Sequence, residues 1–240
     1  MKTTKLFGLL VMSFLVSSCF AVAKDAKGKE ITKQIPAKNF SAIELKGAAD
    51  IVYTQERNGR ITVTAPEDVI GLIDVSVRNN TLSVSTQRMD EARRNRNFNI
   101  TVKASSPMLS NIDVRGAGDI TLQGTMNLNE LGVKVKGAGD LKAEDLHCRN
   151  LSLDISGAGD VNLQGEAQKA VYMVKGAGDI DAFNFRVHSL VVDVSGAGDV
   201  ECNASELSIE NKGAGNVTYK GNPVIKQINS QGIGTIKSSK

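Results

Sequence analysis

The residues in this chain whose type and spacing invite chemistry are its aspartates. Asp50, Asp119, Asp140, Asp160, Asp179 and Asp199 each close a short glycine motif, and Asn216 and Thr235 take that position at its last two occurrences. A row of carboxylates beside glycine turns would suit calcium, a hard cation that prefers oxygen ligands. The same side chains also cap turns by accepting hydrogen bonds from backbone N–H groups. Asn216 and Thr235 keep that capacity while losing the charge, and the motif lacks the short period that sets calcium ligands on adjacent turns. Asp50, Asp119, Asp140, Asp160, Asp179, Asp199 and Asn216 are therefore read as turn caps. No metal and no cofactor are assigned.

Other reactive side chains are sparse. His147 and His188 are the two histidines. Two imidazoles without a cysteine or carboxylate cluster are a weak metal signal, although a coil of doubled length would make them neighbours. Arg88, Arg93, Arg94 and Arg96 are interleaved with Asp90 and Glu91 and surrounded by Asn95, Asn97 and Asn99. This segment reads as a polar loop, with a patch for an acidic glycan or lipopolysaccharide as its functional alternative. Cys148 and Cys202 follow their turns at different distances, so two separate buried thiols are expected rather than a bridge. The chain has no Ser-His-Asp order, no HExxH and no phosphate-binding loop. No catalytic residue is assigned.

The elements that must position these residues are set by glycine. Gly47-Ala48-Ala49-Asp50 is followed by Gly116-Ala117-Gly118-Asp119. The pattern recurs at Gly137 and Gly139, Gly157 and Gly159, Gly176 and Gly178, Gly196 and Gly198, Gly213 and Gly215, and Gly232 and Gly234. From Gly116 onward the first glycines are 21, 20, 19, 20, 17 and 19 residues apart. A fixed period of this kind indicates a repeat architecture. Alternating apolar and polar residues flank each turn, as in Leu151-Ser152-Leu153-Asp154-Ile155 and Asp160-Val161-Asn162-Leu163, which is the period of a strand. One unit is strand, glycine turn, strand, loop. The glycines are expected at positive φ, with the intervening alanines allowing close approach of neighbouring coils. An antiparallel meander of two-residue hairpins is the rival arrangement.

The residue before each turn runs Lys136, Ser156, Lys175, Ser195, Lys212, Gln231. That alternation suggests a coil of two units, with glycine turns on opposite corners. Residues 35–107 are less regular but still alternate, with strands expected at 42–45, 51–53, 60–64, 73–77, 81–85 and 98–102. A hairpin turn is expected at Asn79-Asn80. These are read as opening coils of the same solenoid, modified because a terminal repeat must cap the apolar interior.

Composition agrees with one such domain. The chain has 240 residues, 41% hydrophobic and 23% charged, which is enough for a core. It has no Trp and only 4% aromatic residues, so a tryptophan-lined sugar groove is excluded and an aliphatic interior without large rings is expected. The net charge of +3 falls to +1 without Lys2 and Lys5, so no nucleic-acid partner is implied.

Residues 1–23 read as a signal peptide, with a basic start, an apolar run from Leu6 to Val16 and small residues after it. Two processing routes compete. Ala21-Val22-Ala23 is an A-x-A cleavage site, whereas Val16-Ser17-Ser18-Cys19 resembles a lipoprotein box that would make Cys19 a lipid anchor. The apolar residues after Cys19 favour the first. Membrane contact is expected only through that anchor, and location is expected in the periplasm, outer membrane or cell surface of a Gram-negative bacterium. Residues 24–34 are read as a linker and 35–240 as the solenoid.

Phe40-Ser41-Ala42-Ile43-Glu44-Leu45-Lys46-Gly47, Thr81-Leu82-Ser83-Val84, Ile100-Thr101-Val102-Lys103 and the run from Leu109 to Asp119 together resemble a known family. It is the "putative auto-transporter adhesin, head GIN domain" of Bacteroidetes, formerly a domain of unknown function, over about residues 39–222. The resemblance implies an all-β, right-handed parallel β-solenoid of the pectin-lyase type without catalytic residues. It implies a surface interaction module with a glycan or protein ligand. A carbohydrate-active enzyme or glycan-binding protein on that scaffold is the alternative, and end-to-end oligomers are open to it.

Overall fold

The computed structural model describes residues 29–36, 38–89 and 99–239. The first eight strands are β1 (Glu30–Ile35), β2 (Ala42–Lys46), β3 (Asp50–Gln55), β4 (Arg60–Pro66), β5 (Asp74–Arg78), β6 (Thr81–Ser85), β7 (Thr101–Ser106) and β8 (Asn111–Val114). Five long strands follow: β9 (Ile120–Val135), β10 (Leu141–Ile155), β11 (Val161–Val174), β12 (Ile180–Val194) and β13 (Val200–Asn211). The chain ends in β14 (Val217–Lys220), β15 (Val224–Ser230) and β16 (Ile236–Ser239). Among the described residues the only helical feature is a 3-10 turn at Ile70–Leu72.

Successive strands from β9 to β13 pair in parallel, each with the next. Parallel pairing rules out the antiparallel meander. The result is a single-domain β-solenoid of about 6 turns. Each coil has three paired segments, as in β10 at 141–143, 146–148 and 150–155, and each segment turns alternate residues inward. Equivalent residues therefore form ladders: Ile120, Leu141, Val161, Ile180, Val200 and Val217 are in register and essentially fully buried. Each fully buried aliphatic side chain stabilises the stack by roughly 1.5–3 kcal/mol. The interior also holds rings, contrary to the aliphatic expectation. Tyr53, Tyr172 and Phe185 are fully enclosed.

One glycine turn makes one coil. Gly157 lies directly on Gly137, and Gly176 on Gly157, so every turn stacks on the same corner and the doubled coil is wrong. The alternation of Lys and Ser before the turns runs up a single outer row.

The reason for glycine also differs from expectation. Among the motif glycines only Gly47 has positive φ, at 113°. The others are required by contact: a Cβ on Gly157 would overlap the carbonyl oxygen of Gly137. The alanines between them face solvent and contribute their backbone instead, as in Ala158 N–H donating to the Gly137 carbonyl at 2.9 Å.

The N-terminal region is a mixture of coil and cap. β6 and β7 run parallel to β2 and β3, forming a coil in which Thr86 replaces the turn glycine. Its hydroxyl accepts from Ala48 N–H at 2.9 Å. Beyond it the chain reverses: β4 is antiparallel to β7, β1 to β4, and β5 to β6. Asn79 and Asn80, at φ 50° and 60°, make the expected tight turn between β5 and β6. These antiparallel strands cover one end of the stack rather than opening it. At the other end β15 leaves Val224, Ile225 and Ile228 exposed.

Candidate functional site

The predicted turn caps form a continuous ladder. Asp50 Oδ1 accepts from Asp119 N–H at 3.1 Å, Asp119 from Asp140 at 2.9 Å, Asp140 from Asp160 at 2.8 Å and Asp160 from Asp179 at 2.8 Å. Asp179 accepts from Asp199 at 2.7 Å, Asp199 from Asn216 at 2.7 Å and Asn216 Oδ1 from Thr235 at 3.0 Å. Each carboxylate therefore caps the next coil, not its own turn. Asn216 performs the same task without charge. No group of three or more His, Cys, Asp or Glu side chains able to hold a metal occurs among the described residues.

Cys148 and Cys202 are separate buried thiols. Loss of hydration raises both, to about 12, so they stay protonated and unreactive at neutral pH. Tyr172 hydroxyl is buried near them without a hydrogen-bond partner. The arginine loop falls mostly outside the described residues: Arg93, Arg94 and Arg96 are not described, and Arg88 is exposed. Cys19 and the whole leader also lie outside them.

His147 and His188 are not brought together. His147 on β10 is in register with Glu166 on β11, and Glu166 with Arg186 on β12, two residues before His188. His147 instead bridges two carboxylates, with Nε2 2.9 Å from Asp145 Oδ1 and Nδ1 3.3 Å from Glu166 Oε1. The Thr125 hydroxyl donates to Asp145 at 2.7 Å and, with His147 beside it, holds that carboxyl below the usual range.

His147 belongs to an outward row on the middle segment of each coil: Asn127, His147, Glu166, Arg186, Asn203 and Lys220, all in register. A cavity of about 450 Å³ opens on this row between His147, Glu166, Arg186, Asn203 and Lys220, with Phe183 and Asn184 at its edge. A second, of about 370 Å³, shares His147 and Glu166 and adds Asn127, Asn129, Arg149 and Gln168. Sequence reasoning missed this cleft, although its cause was visible. The interval from Gly196 to Gly213 is 17 residues against 20 for the coil before it. In β12 four residues, 182–185, separate Asp181 from Arg186, whereas in β13 Cys202 alone separates Glu201 from Asn203. Phe183 and Asn184 therefore overhang a shorter coil. Arg149, Arg186 and Lys220 have no carboxylate partner among the described residues, and a glycine at 165, with φ of 123°, carries the bend in β11 below them.

With this geometry in view, the model of the family described as "Putative auto-transporter adhesin, head GIN domain" matches residues 39–223. The chain belongs to this family. Among solved structures it is similar to a putative adhesin of Bacteroides fragilis, at 33% identity and a TM-score of 0.80, over 88% of this chain and 97% of that one. A putative adhesin of Parabacteroides merdae shares the fold at 23% identity and a TM-score of 0.67, over 89% and 97%. So does a protein of Parabacteroides distasonis called a putative lipid binding protein, at 22% and 0.67, over 89% and 98%. No curated protein matches the chain.

Proposed function

We propose that this head GIN domain is exported and acts at the cell surface by binding, as an adhesin head, rather than by catalysis. Membership of the adhesin family over residues 39–223 carries the reading. The geometry supports it. A stack of in-register coils is stiff, and it presents rows of outward side chains at the strand spacing of about 4.8 Å, which suits an extended ligand better than an enclosed small molecule. Residues 1–23 supply the export signal, with release after Ala23 preferred to lipidation at Cys19. The ligand is a surface glycan or protein.

The test is a deletion strain complemented with the wild-type gene or with Cys19→Ser. Surface proteolysis of intact cells should degrade the wild-type protein, and deletion should lower adherence to a glycan-coated surface. Protein protected in intact cells, with adherence unchanged by deletion, would remove the adhesin reading.

A further inference from the structure

We propose that the cleft at the shortened coil binds an extended anionic polysaccharide, laid across the coils with one sugar unit facing each coil and its carboxylates against Arg186 and Lys220. This names the ligand of the adhesin reading and rests on it.

Four observations converge on that chemistry. The first is charge. Asp145 and Glu166 are both engaged by His147, while Arg149, Arg186 and Lys220 are unpaired among the described residues. The linings of the two cavities thus set three unpaired cations against one carboxylate, Glu166, which favours an anionic ligand and disfavours a cationic one. The second is the number of amides. Asn127, Asn129, Gln168, Asn184 and Asn203 line the two cavities. A side-chain amide offers a donor and an acceptor side by side, which matches the paired hydroxyls of a sugar. Asn203 Nδ2 already donates to the Phe183 carbonyl at 3.3 Å, which fixes its orientation and leaves its oxygen to accept.

The third is shape. The cleft is open to solvent and at least half-lined by polar atoms, unlike the enclosed apolar cavities that hold small molecules. Half-buried Phe183 gives one apolar surface at its rim, enough for the C–H face of a single sugar. The fourth is pitch. Neighbouring coils are about 4.8 Å apart, close to the length of one pyranose unit in an extended chain. Rigid coils set at that pitch hold successive contacts in place before the ligand arrives, so little ordering is lost on binding.

The test uses the mature chain with alginate and polygalacturonate as anionic probes, and dextran as a neutral one, by affinity electrophoresis and calorimetry. Both uronates should bind, dextran should not, and affinity should fall in about 0.5 M salt. R186Q/K220Q should weaken uronate binding by about tenfold or more, while R78Q/K33Q at the capped end leaves it unchanged. All these side chains are exposed, so each variant should melt as the wild type does. Absence of uronate binding would overturn the proposal. So would wild-type affinity in R186Q/K220Q, equal binding of dextran, or equal competition by single-stranded DNA, which would mark a general anion patch. The two readings fail separately. Adherence lost on deletion but kept in R186Q/K220Q removes the cleft and leaves the adhesin. Uronate binding that depends on Arg186 and Lys220, with adherence unaffected by deletion, removes the adhesin and leaves the cleft.

Discussion

The aspartate after each glycine turn shows how one side chain can look like a ligand and work as a strut. Six carboxylates one coil apart repel one another modestly in water, by under about 1 kcal/mol per neighbouring pair. Each offsets this by accepting a backbone N–H from the next coil. Asp160→Asn should keep the acceptor and relieve repulsion, leaving stability equal or slightly raised. Asp160→Ala should lose about 1 kcal/mol in urea unfolding. Millimolar calcium should leave the melting temperature of the wild type unchanged. The buried thiols make a separate prediction. Their folded-state pKa values lie above the ordinary thiol value of 9.0, so the native state holds protons that the unfolded chain releases. Their contribution is intact below about pH 9 and is lost as pH rises toward 12. Urea midpoints should fall between neutral pH and about pH 10.5, and fall less in C148A/C202A. Some decline will remain, because burial also raises Tyr53 and Tyr172.

At the scale of the element, the glycine corner fixes the coil. Gly157→Ala should cost about 2–4 kcal/mol, since a methyl group would meet the backbone carbonyl of Gly137 and neither coil can retreat without breaking its ladder. Ala158→Ser, one residue away and facing solvent, should be neutral; chemical denaturation of both variants checks the pair. The strands were legible because their two-residue period is a direct image of inside and outside. The alternation of Lys136, Ser156 and Lys175 was legible too, but it misled about coil length. A pattern in an outer row records which charges sit side by side, such as Lys175 Nζ on Asp154 at 3.2 Å, and carries no information on where the chain turns. The cleft was written in the 17-residue interval between Gly196 and Gly213. It went unread because a deletion in a repeat has no address on the surface until the register of both neighbours is known.

At the scale of the whole molecule, a solenoid is held by neighbouring coils, so stability should vary along it. β1 and β5 at one end and β15 and β16 at the other pair on one side only, and Ile233 is 89% exposed. Hydrogen exchange should be fastest in the terminal strands β1, β5, β15 and β16 and slowest in β10 to β12. Equal protection from end to end would mean that the terminal strands are covered in solution. By itself the sequence determined the all-β class, a repeat of about twenty residues and, through its resemblance to known motifs, the family. The first two follow from composition and local period, which each coil repeats. Only the tertiary structure decided that every turn shares one corner, that glycine serves contact rather than positive φ, and that His147, Glu166, Arg186 and Lys220 face one cleft. Those facts depend on register between coils, a relation between residues about twenty apart that no single stretch of chain contains.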